Sequence, residues 1–363
     1  MEENEVAVED FYIDYGKLDP LQRKYVDRQV NRSMVVCGSA GTGKSLIALH
    51  KAKQVANLGS YAIVVYTKTL RRYFEDGLKA LGLRNVYHYY HWKKACENDQ
   101  FQHVKYLIVD ECQDFTSEEI DTLRHSADIC FFFGDSAQSI MTFRGPVQSV
   151  QQTALDMGEI MLPLQNNYRL TKENGRLAET ILPREDIVEN CQRSGIKPQL
   201  IKASTFDDQL DAIIRLIKNK SLTSVGILMP YNTKEKASRS HLRNEKLSVE
   251  YVKDYFSVKG VAFEYKYDDL QETEMDLNFH STTPKIMTWW CAKGLQFKDV
   301  FLLNCNCLCA PDEFEEKRKA LFVAATRPSE RLYLAYSGSL CSYFPNENSD
   351  IYLQQKSAAD LLG

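Results

Sequence analysis

Short apolar runs and longer amphipathic stretches alternate along this chain. Met34-Val35-Val36-Cys37, Tyr61-Ala62-Ile63-Val64-Val65-Tyr66, Tyr106-Leu107-Ile108-Val109 and Ile129-Cys130-Phe131-Phe132-Phe133 are continuous apolar runs of strand length. Between them the pattern predicts helices. Asp19-Pro20 opens one that carries Leu21, Gln22, Tyr25 and Val26, with Asp as N-cap and Pro at the first helical position. Ser45-Leu46-Ile47-Ala48-Leu49 begins a second, a third runs to about Leu81, and Thr116-Ser117-Glu118-Glu119 is a capping box for a fourth. Residues 10–18 read as an extended lead-in, and Val86 to Trp92 as an aromatic-rich strand or loop. Strands that alternate with helices predict an α/β fold with a parallel sheet and a site along its carboxyl edge.

Around residue 163 the pattern restarts. Asn167-Tyr168-Arg169 precedes a helix capped by Thr171. A strand near 198–202, a helix near 206–219 and the strand Val225 to Met229 follow, then a polar stretch over 232–246 and an acidic loop over 268–276. Strands near 285–289 and 299–304, a helix near 313–325 and the strand Leu332 to Tyr336 complete a second α/β unit, with a loop over 338–350 and a short terminal helix after it. The expected domains are therefore 1–163 and 164–363, each long enough for its own core.

Chemistry enters with residues 34–45, MVVCGSAGTGKS. Gly38, Gly43, Lys44 and Ser45 fit GxxxxGK(S/T) in full, with Gly41 as an extra glycine and Ser39, Ala40 and Thr42 filling the loop. Successive backbone N–H groups and the positive end of a helix can hold a phosphate chain if no Cβ intervenes. Lys44 would reach the β- and γ-phosphates of ATP, and the Ser45 hydroxyl would ligate Mg²⁺. Asp110-Glu111 ends an apolar strand, where an ATPase needs two carboxylates: Asp110 as the Mg²⁺ partner, Glu111 as the base for the attacking water. In Gly134-Asp135-Ser136-Ala137-Gln138, the glutamine can contact both the γ-phosphate and that water. Arg169 and Arg327, in the second unit, are suited to the charge that develops on the γ-phosphoryl group. Taken singly, each of these features also has a plain structural reading, as a turn, a cap or a surface charge.

Composition changes little. Hydrophobic residues make up 44% and charged residues 26%, as in ordinary globular chains. The net charge of -4, from 45 basic and 49 acidic residues, means that nucleic-acid binding would need a local basic groove. No apolar run approaches a membrane span, and the opening MEENEVAVED is too acidic for a secretory signal, so a cytoplasmic chain with no membrane partner is expected. The 10 cysteines form no CxxC pair. Cys305, Cys307 and Cys309 alternate behind Val300-Phe301-Leu302-Leu303, either as reduced core thiols or as one face of a metal site.

With these residues in place, the chain resembles superfamily 1 helicases of the UvrD/Rep/PcrA type over nearly its whole length. LDPLQ (18–22) resembles the Q motif, GSAGTGKS motif I, VVYTKTL (64–70) motif Ia and IVDECQDF (108–115) the DExQD box. GDSAQSIMTFRG (134–145) is similar to motif III, LQNNYRL (164–170) to motif IV, TWWCAKGLQF (288–297) to motif V and LFVAATR (321–327) to motif VI. The order of the set is more specific than any one motif. The resemblance implies two RecA-like P-loop domains with parallel sheets and ATP in the interdomain cleft. It puts Gln22 on adenine, Tyr168 on the base, Gln296 near the ribose, Gly294 among the nucleotide-binding residues, and Arg169 and Arg327 as arginine fingers. It puts Tyr66, Thr67, Phe143, Arg144, Thr288 and Trp290 along single-stranded nucleic acid.

Three departures qualify the resemblance. Gln296 stands where the family has Glu, and an amide can still hydrogen-bond there. Trp290 stands where the family has His, and an indole can stack on a base; a Trp289-Trp290 pair on alternating faces of a strand would make one of the two a core residue. Third, the accessory domains that the family inserts are missing, since about a dozen residues separate Trp92 from Val104. The expectation is an ATP hydrolase acting as a translocase or helicase on single-stranded DNA, with RNA open and 3′→5′ polarity implied by the family. A protein partner would supply duplex engagement or nuclease activity. The alternative is a nucleic-acid-sensing ATPase switch that regulates such a partner, for instance a nuclease in an antiphage defence complex.

Overall fold

The computed structural model describes residues 13–98, 103–140, 145–183, 186–240, 242–266, 277–306 and 314–353. The chain divides into two compact units, the first ending at Asn167 and the second running from Tyr168, so that the boundary falls after the first residue of the strand Asn167–Thr171.

The first unit opens with α1 (Pro20–Val26). The Asp19 side chain accepts from the Leu21 and Gln22 amides while Gln22 answers to the Asp19 amide, so two orphan donors are satisfied reciprocally. There follow β1 (Met34–Gly38), α2 (Lys44–Val55), β2 (Tyr61–Val65), α3 (Lys68–Ala80), β3 (Val86–His88), α4 (Tyr89–Glu97), β4 (Val104–Val109), α5 (Ser117–His125), β5 (Ala127–Gly134), α6 (Val150–Asp156) and β6 (Met161–Leu164). The strands form one sheet in the order β3-β2-β4-β5-β1-β6, with every pair parallel. Such strands are covered on both faces, which is why they read as unbroken apolar runs. Met34, Val36, Ile63, Val65, Ile108, Phe131 and Phe133 pack with Ile47, Ala48, Leu70 and Phe74 in one core. The strand order sets the carboxyl ends of β4, β5 and β1 side by side. The aromatic run 86–92 is split: only its first three residues are strand, and Tyr89 to Trp92 turn into α4, burying Tyr89 and Trp92.

The second unit contains β7 (Asn167–Thr171), α7 (Lys172–Ile181), α8 (Ile187–Asn190), β8 (Cys191–Arg193), β9 (Gln199–Lys202), α9 (Phe206–Asn219), β10 (Val225–Met229), α10 (Lys234–Arg239), α11 (Val249–Val258), β11 (Glu264–Lys266), β12 (Lys285–Thr288), β13 (Phe297–Leu302), α12 (Phe314–Ala325) and β14 (Pro328–Tyr336). Its main sheet has the order β11-β12-β10-β13-β14-β9 and is again wholly parallel, while β7 pairs with β8 in a small ribbon. The polar stretch 232–246 contains α10, and α11 follows it, burying Val249, Val252 and Phe256. The acidic segment 268–276, Cys307 and Cys309 lie outside the described residues. Among the described residues no helix is long and apolar enough to cross a membrane, and no cluster of His, Cys, Asp and Glu could hold a metal ion.

Candidate functional site

β1 ends where the glycine loop begins, and α2 starts at its far end. Gly41 and Gly43 have φ of 84° and 91°, a backbone region that a Cβ disfavours, so the loop's curl depends on them. A Cβ at Gly38 would come within 2.5 Å of the Thr42 hydroxyl oxygen. The Lys44 ammonium lies back along the loop, donating to the Gly38 carbonyl at 2.9 Å and the Ser39 carbonyl at 3.2 Å. Two further side chains brace this turn. The Gln22 amide donates to the Thr42 carbonyl at 3.0 Å, and the Asn167 amide donates to the Ala40 carbonyl at 2.7 Å. Gln22, expected on adenine, is thus also a strut of the phosphate loop.

The neighbouring strand β4 delivers Asp110 and Glu111. The Ser45 hydroxyl donates to Asp110 Oδ2 at 2.6 Å, and Asp110 Oδ1 accepts the Glu111 amide at 3.0 Å. Ser45 and Asp110, both expected to bear on Mg²⁺, therefore meet, and a hydroxyl facing a carboxylate is the hard-oxygen donor set that such an ion takes. Burial, and after it the charge of Glu111, push the Asp110 carboxyl up from its ordinary value; Ser45 and Lys44 pull the other way. Glu111 has φ 56° and ψ 42°, left-handed for a residue with a side chain. Buried Gln113 donates to Glu111 Oε2 at 2.5 Å and accepts the Asp135 amide at 2.8 Å. At the end of β5, Gln138 donates to Asp135 Oδ2 at 2.8 Å. Glu111, Gln113, Asp135 and Gln138 form one hydrogen-bonded chain across the ends of β4 and β5. Burial raises the Cys112 thiol well above its ordinary value, so this neighbour of the carboxylates stays protonated.

In the second unit, the amino ends of β13 and β14 gather another set. Arg169 on β7 donates through Nε to the Gln296 side-chain oxygen at 2.9 Å. Arg327 is 1% exposed and donates to the Val323 carbonyl at 2.7 Å, the Leu295 carbonyl at 3.3 Å and the Thr326 hydroxyl at 2.9 Å. Gly294, with φ 78°, turns the chain that presents Leu295 and Gln296. Arg169, Gly294, Gln296 and Arg327 therefore meet within this unit. Tyr168 stands exposed beside them on β7.

The residues expected along nucleic acid are more scattered. Tyr66 is buried, its ring edge-on to Phe115 at 5.3 Å, and the Thr67 hydroxyl caps α3 by accepting the Leu70 amide at 3.1 Å. Phe143 and Arg144 lie outside the described residues. The expectation that Trp289 and Trp290 take opposite faces of a strand is corrected. β12 stops at Thr288, whose hydroxyl accepts the Cys291 amide at 3.2 Å, so both rings fall in a turn and stack at 6.1 Å with planes 22° apart. One of the pair is core, as expected: Trp289 is buried and Trp290 partly exposed. Gln113 and Asn167 were not among the residues singled out from the sequence. Both lie inside recognised motifs, but nothing local to either marks the distant backbone group that it holds.

Residues 34–155 match the family of viral superfamily 1 RNA helicase core domains, and residues 286–335 match the UvrD-like helicase C-terminal domain. The first match takes in the glycine loop, Asp110, Glu111 and Gln138; the second takes in Trp290, Gln296 and Arg327. Among solved structures the chain is similar to Dbp5 of S. cerevisiae bound to RNA and ADP-BeF3, with 14% identity over 95% of this chain and 90% of that one and a TM-score of 0.50. That likeness shows the fold, two RecA-like α/β domains. The chain is also similar to the C-terminal domain of a possible DNA helicase from Lactobacillus plantarum WCFS1, with 21% identity over 51% of this chain and 96% of that one and a TM-score of 0.36. No curated protein matches the chain.

Proposed function

We propose that this superfamily 1 helicase-like chain is an ATP hydrolase that moves along single-stranded nucleic acid, DNA in the first instance, with 3′→5′ polarity. The observation that carries the reading is the meeting of the loop's Ser45 with Asp110 at 2.6 Å, with Glu111 next in the chain. In this reading the loop amides of Gly38 to Ser45 and the Lys44 ammonium hold the phosphates, and Ser45 and Asp110 hold Mg²⁺. When bound, that ion neutralises charge on the β- and γ-oxygens. Glu111 accepts the proton of the attacking water, and Gln138 registers whether the γ-phosphate is present. Gln22 and Tyr168 serve the base, Gln296 the ribose with Gly294 beside it in the nucleotide site, and Arg169 and Arg327 the transition-state charge. Trp290 is the aromatic best suited to stacking on a strand, since its ring is partly exposed.

Steady-state ATP turnover tests this, with and without single-stranded DNA or RNA, followed by strand displacement. Turnover should rise with the strand, and Lys44→Ala should lower it by at least about 100-fold, the scale of losing a charge clamp on the phosphates. Wild-type turnover in Lys44→Ala would refute the reading. RNA stands beside DNA in the assay, because the family matched over 34–155 is one of RNA helicases. A second reading, a nucleic-acid-sensing ATPase switch acting on a protein partner, is favoured by the short path from β2 to β4, which holds only α3, β3 and α4 among the described residues. Strand-stimulated turnover without displacement would select it.

A further inference from the structure

Glu111 is assigned above as the base, but a base must also be aimed. Its carboxylate hangs from a residue in left-handed backbone, φ 56° and ψ 42°, a conformation that neighbours must sustain. Gln113 is the neighbour that grips it. The orientation of the Gln113 amide is settled by its partners: Asp135 N–H can only donate, so the oxygen faces Asp135 and the nitrogen faces the Glu111 carboxylate. Gln113 is fully buried, so neither bond competes with water.

The strand next door is shaped around this side chain. A Cβ at Gly134 would come within 2.6 Å of Gln113 Oε1 and 2.6 Å of Cys112 Sγ, so glycine there leaves the room that Gln113 fills. Past Gly134, the Asp135 amide meets Gln113, while Asp135 Oδ2 accepts Gln138 and Asp135 Oδ1 accepts the Ala137 amide at 3.0 Å. One path therefore runs from the proposed base to the proposed γ-phosphate glutamine, and Gln113 bonds to both strand ends within it.

We propose that Gln113 is the positioning residue for the Glu111 carboxylate and couples its aim to the Gln138 turn. This rests on the reading of the site as an ATP hydrolase with Glu111 as base. Gln113 acts through Glu111 and touches no reacting atom, so its removal should lower kcat while leaving nucleotide binding in place. A merely structural glutamine would instead lower stability, and would lower affinity and kcat together.

The test uses the full chain and two variants. Gln113→Met removes both bonds with little change of volume. Gln113→Glu keeps the acceptor for the Asp135 amide and replaces only the donor to Glu111, so it tests the grip even if Gln113→Met does not fold. Each is measured for kcat and KM of ATP hydrolysis, for the affinity of a fluorescent non-hydrolysable ATP analogue, and for Tm. Expected for Gln113→Glu is a fall in kcat of roughly 10- to 100-fold, part of what a general base supplies, with KM and analogue affinity within about threefold of wild type. A kcat within about twofold of wild type would overturn the proposal, as would parallel losses of kcat, affinity and Tm. Lys44→Ala separates the two levels. If it stops turnover and Gln113→Glu does not, this inference alone fails. If it leaves turnover untouched, the site reading falls and this inference with it.

Discussion

His88 offers a pH dependence whose size can be worked out. It closes β3, is 7% exposed, and its ring lies 5.5 Å from those of Tyr90 and His91. Burial first, then the charges of His91, Lys68 and Arg71, hold it down to about 3, with only the Tyr66 backbone opposing. Unfolded, a histidine titrates near 6.5. Between those values the unfolded chain binds a proton that the folded chain refuses, so stability is lost as the pH falls below 6.5. For a folded value of about 3, linkage gives a loss of about 2 kcal/mol between pH 7 and pH 5. In a domain of this size that is about 4–8 °C in Tm. Other groups titrate over the same range, so the quantity to read is the difference between wild type and His88→Leu, which has no proton to bind. Calorimetry at both pH values should show the wild type losing about 4–8 °C more than the variant in the transition of the first unit. Equal losses in the two proteins would mean that His88 accepts its proton in place, and would refute the burial argument.

The second unit gives two contrasts. Arg169 makes an exposed bond to Gln296, whereas Arg327 is buried against the Val323 and Leu295 carbonyls and the Thr326 hydroxyl; Arg169→Ala should therefore lower ATP turnover with Tm nearly unchanged, while Arg327→Ala should also cost about 2–4 kcal/mol of stability in denaturant melts. Arg331 clamps Asp299 through Nε at 2.5 Å and Nη2 at 3.0 Å, tying β13 to β14. Arg331→Met strands a buried carboxylate and should cost about 3–5 kcal/mol, with Arg331→Met/Asp299→Asn recovering most of it. Burial already raises the Asp299 carboxyl, against the pull of Arg331. The single variant should therefore regain stability as the pH falls toward 5, the folded state taking up a proton that the unfolded chain still lacks.

What the sequence reveals of this molecule follows the range over which each signal acts. The strands are legible because a parallel sheet buries both faces, so β1, β4 and β5 appear as runs that no surface helix would carry. The glycine loop is legible because Gly41 and Gly43 answer a need of their own backbone. The run 86–92 is not, because seven aromatic-rich residues suit a strand or a helix equally, and the switch at Tyr89 depends on burying Tyr89 and Trp92. The Trp289-Trp290 pair misleads for a similar reason: a strand face assumes that β12 continues, and the Thr288 hydroxyl ends it one residue earlier.

The site residues divide in the same way. Asp110 and Glu111 stand out because charged groups directly after an apolar run are unusual in themselves, and Lys44 stands out because it closes the glycine loop. Arg327 also stands out, but the sequence says nothing of the Val323 and Leu295 carbonyls and the Thr326 hydroxyl that it meets. Gln113, Gln22 and Asn167 are amides that each reach a group remote in the chain: the Asp135 amide past the next strand, the Thr42 carbonyl of the loop, and the Ala40 carbonyl far earlier in the chain. Each leaves an ordinary polar residue in the sequence and becomes specific only when the fold brings its partner within 3.0 Å. In the proposed reading, side chains of this kind set how firmly the phosphate loop and the base are held, which bears on rate more than on whether nucleotide binds. Substituting them should therefore separate turnover from affinity more cleanly than substituting Lys44 or Asp110, to which that reading gives both tasks.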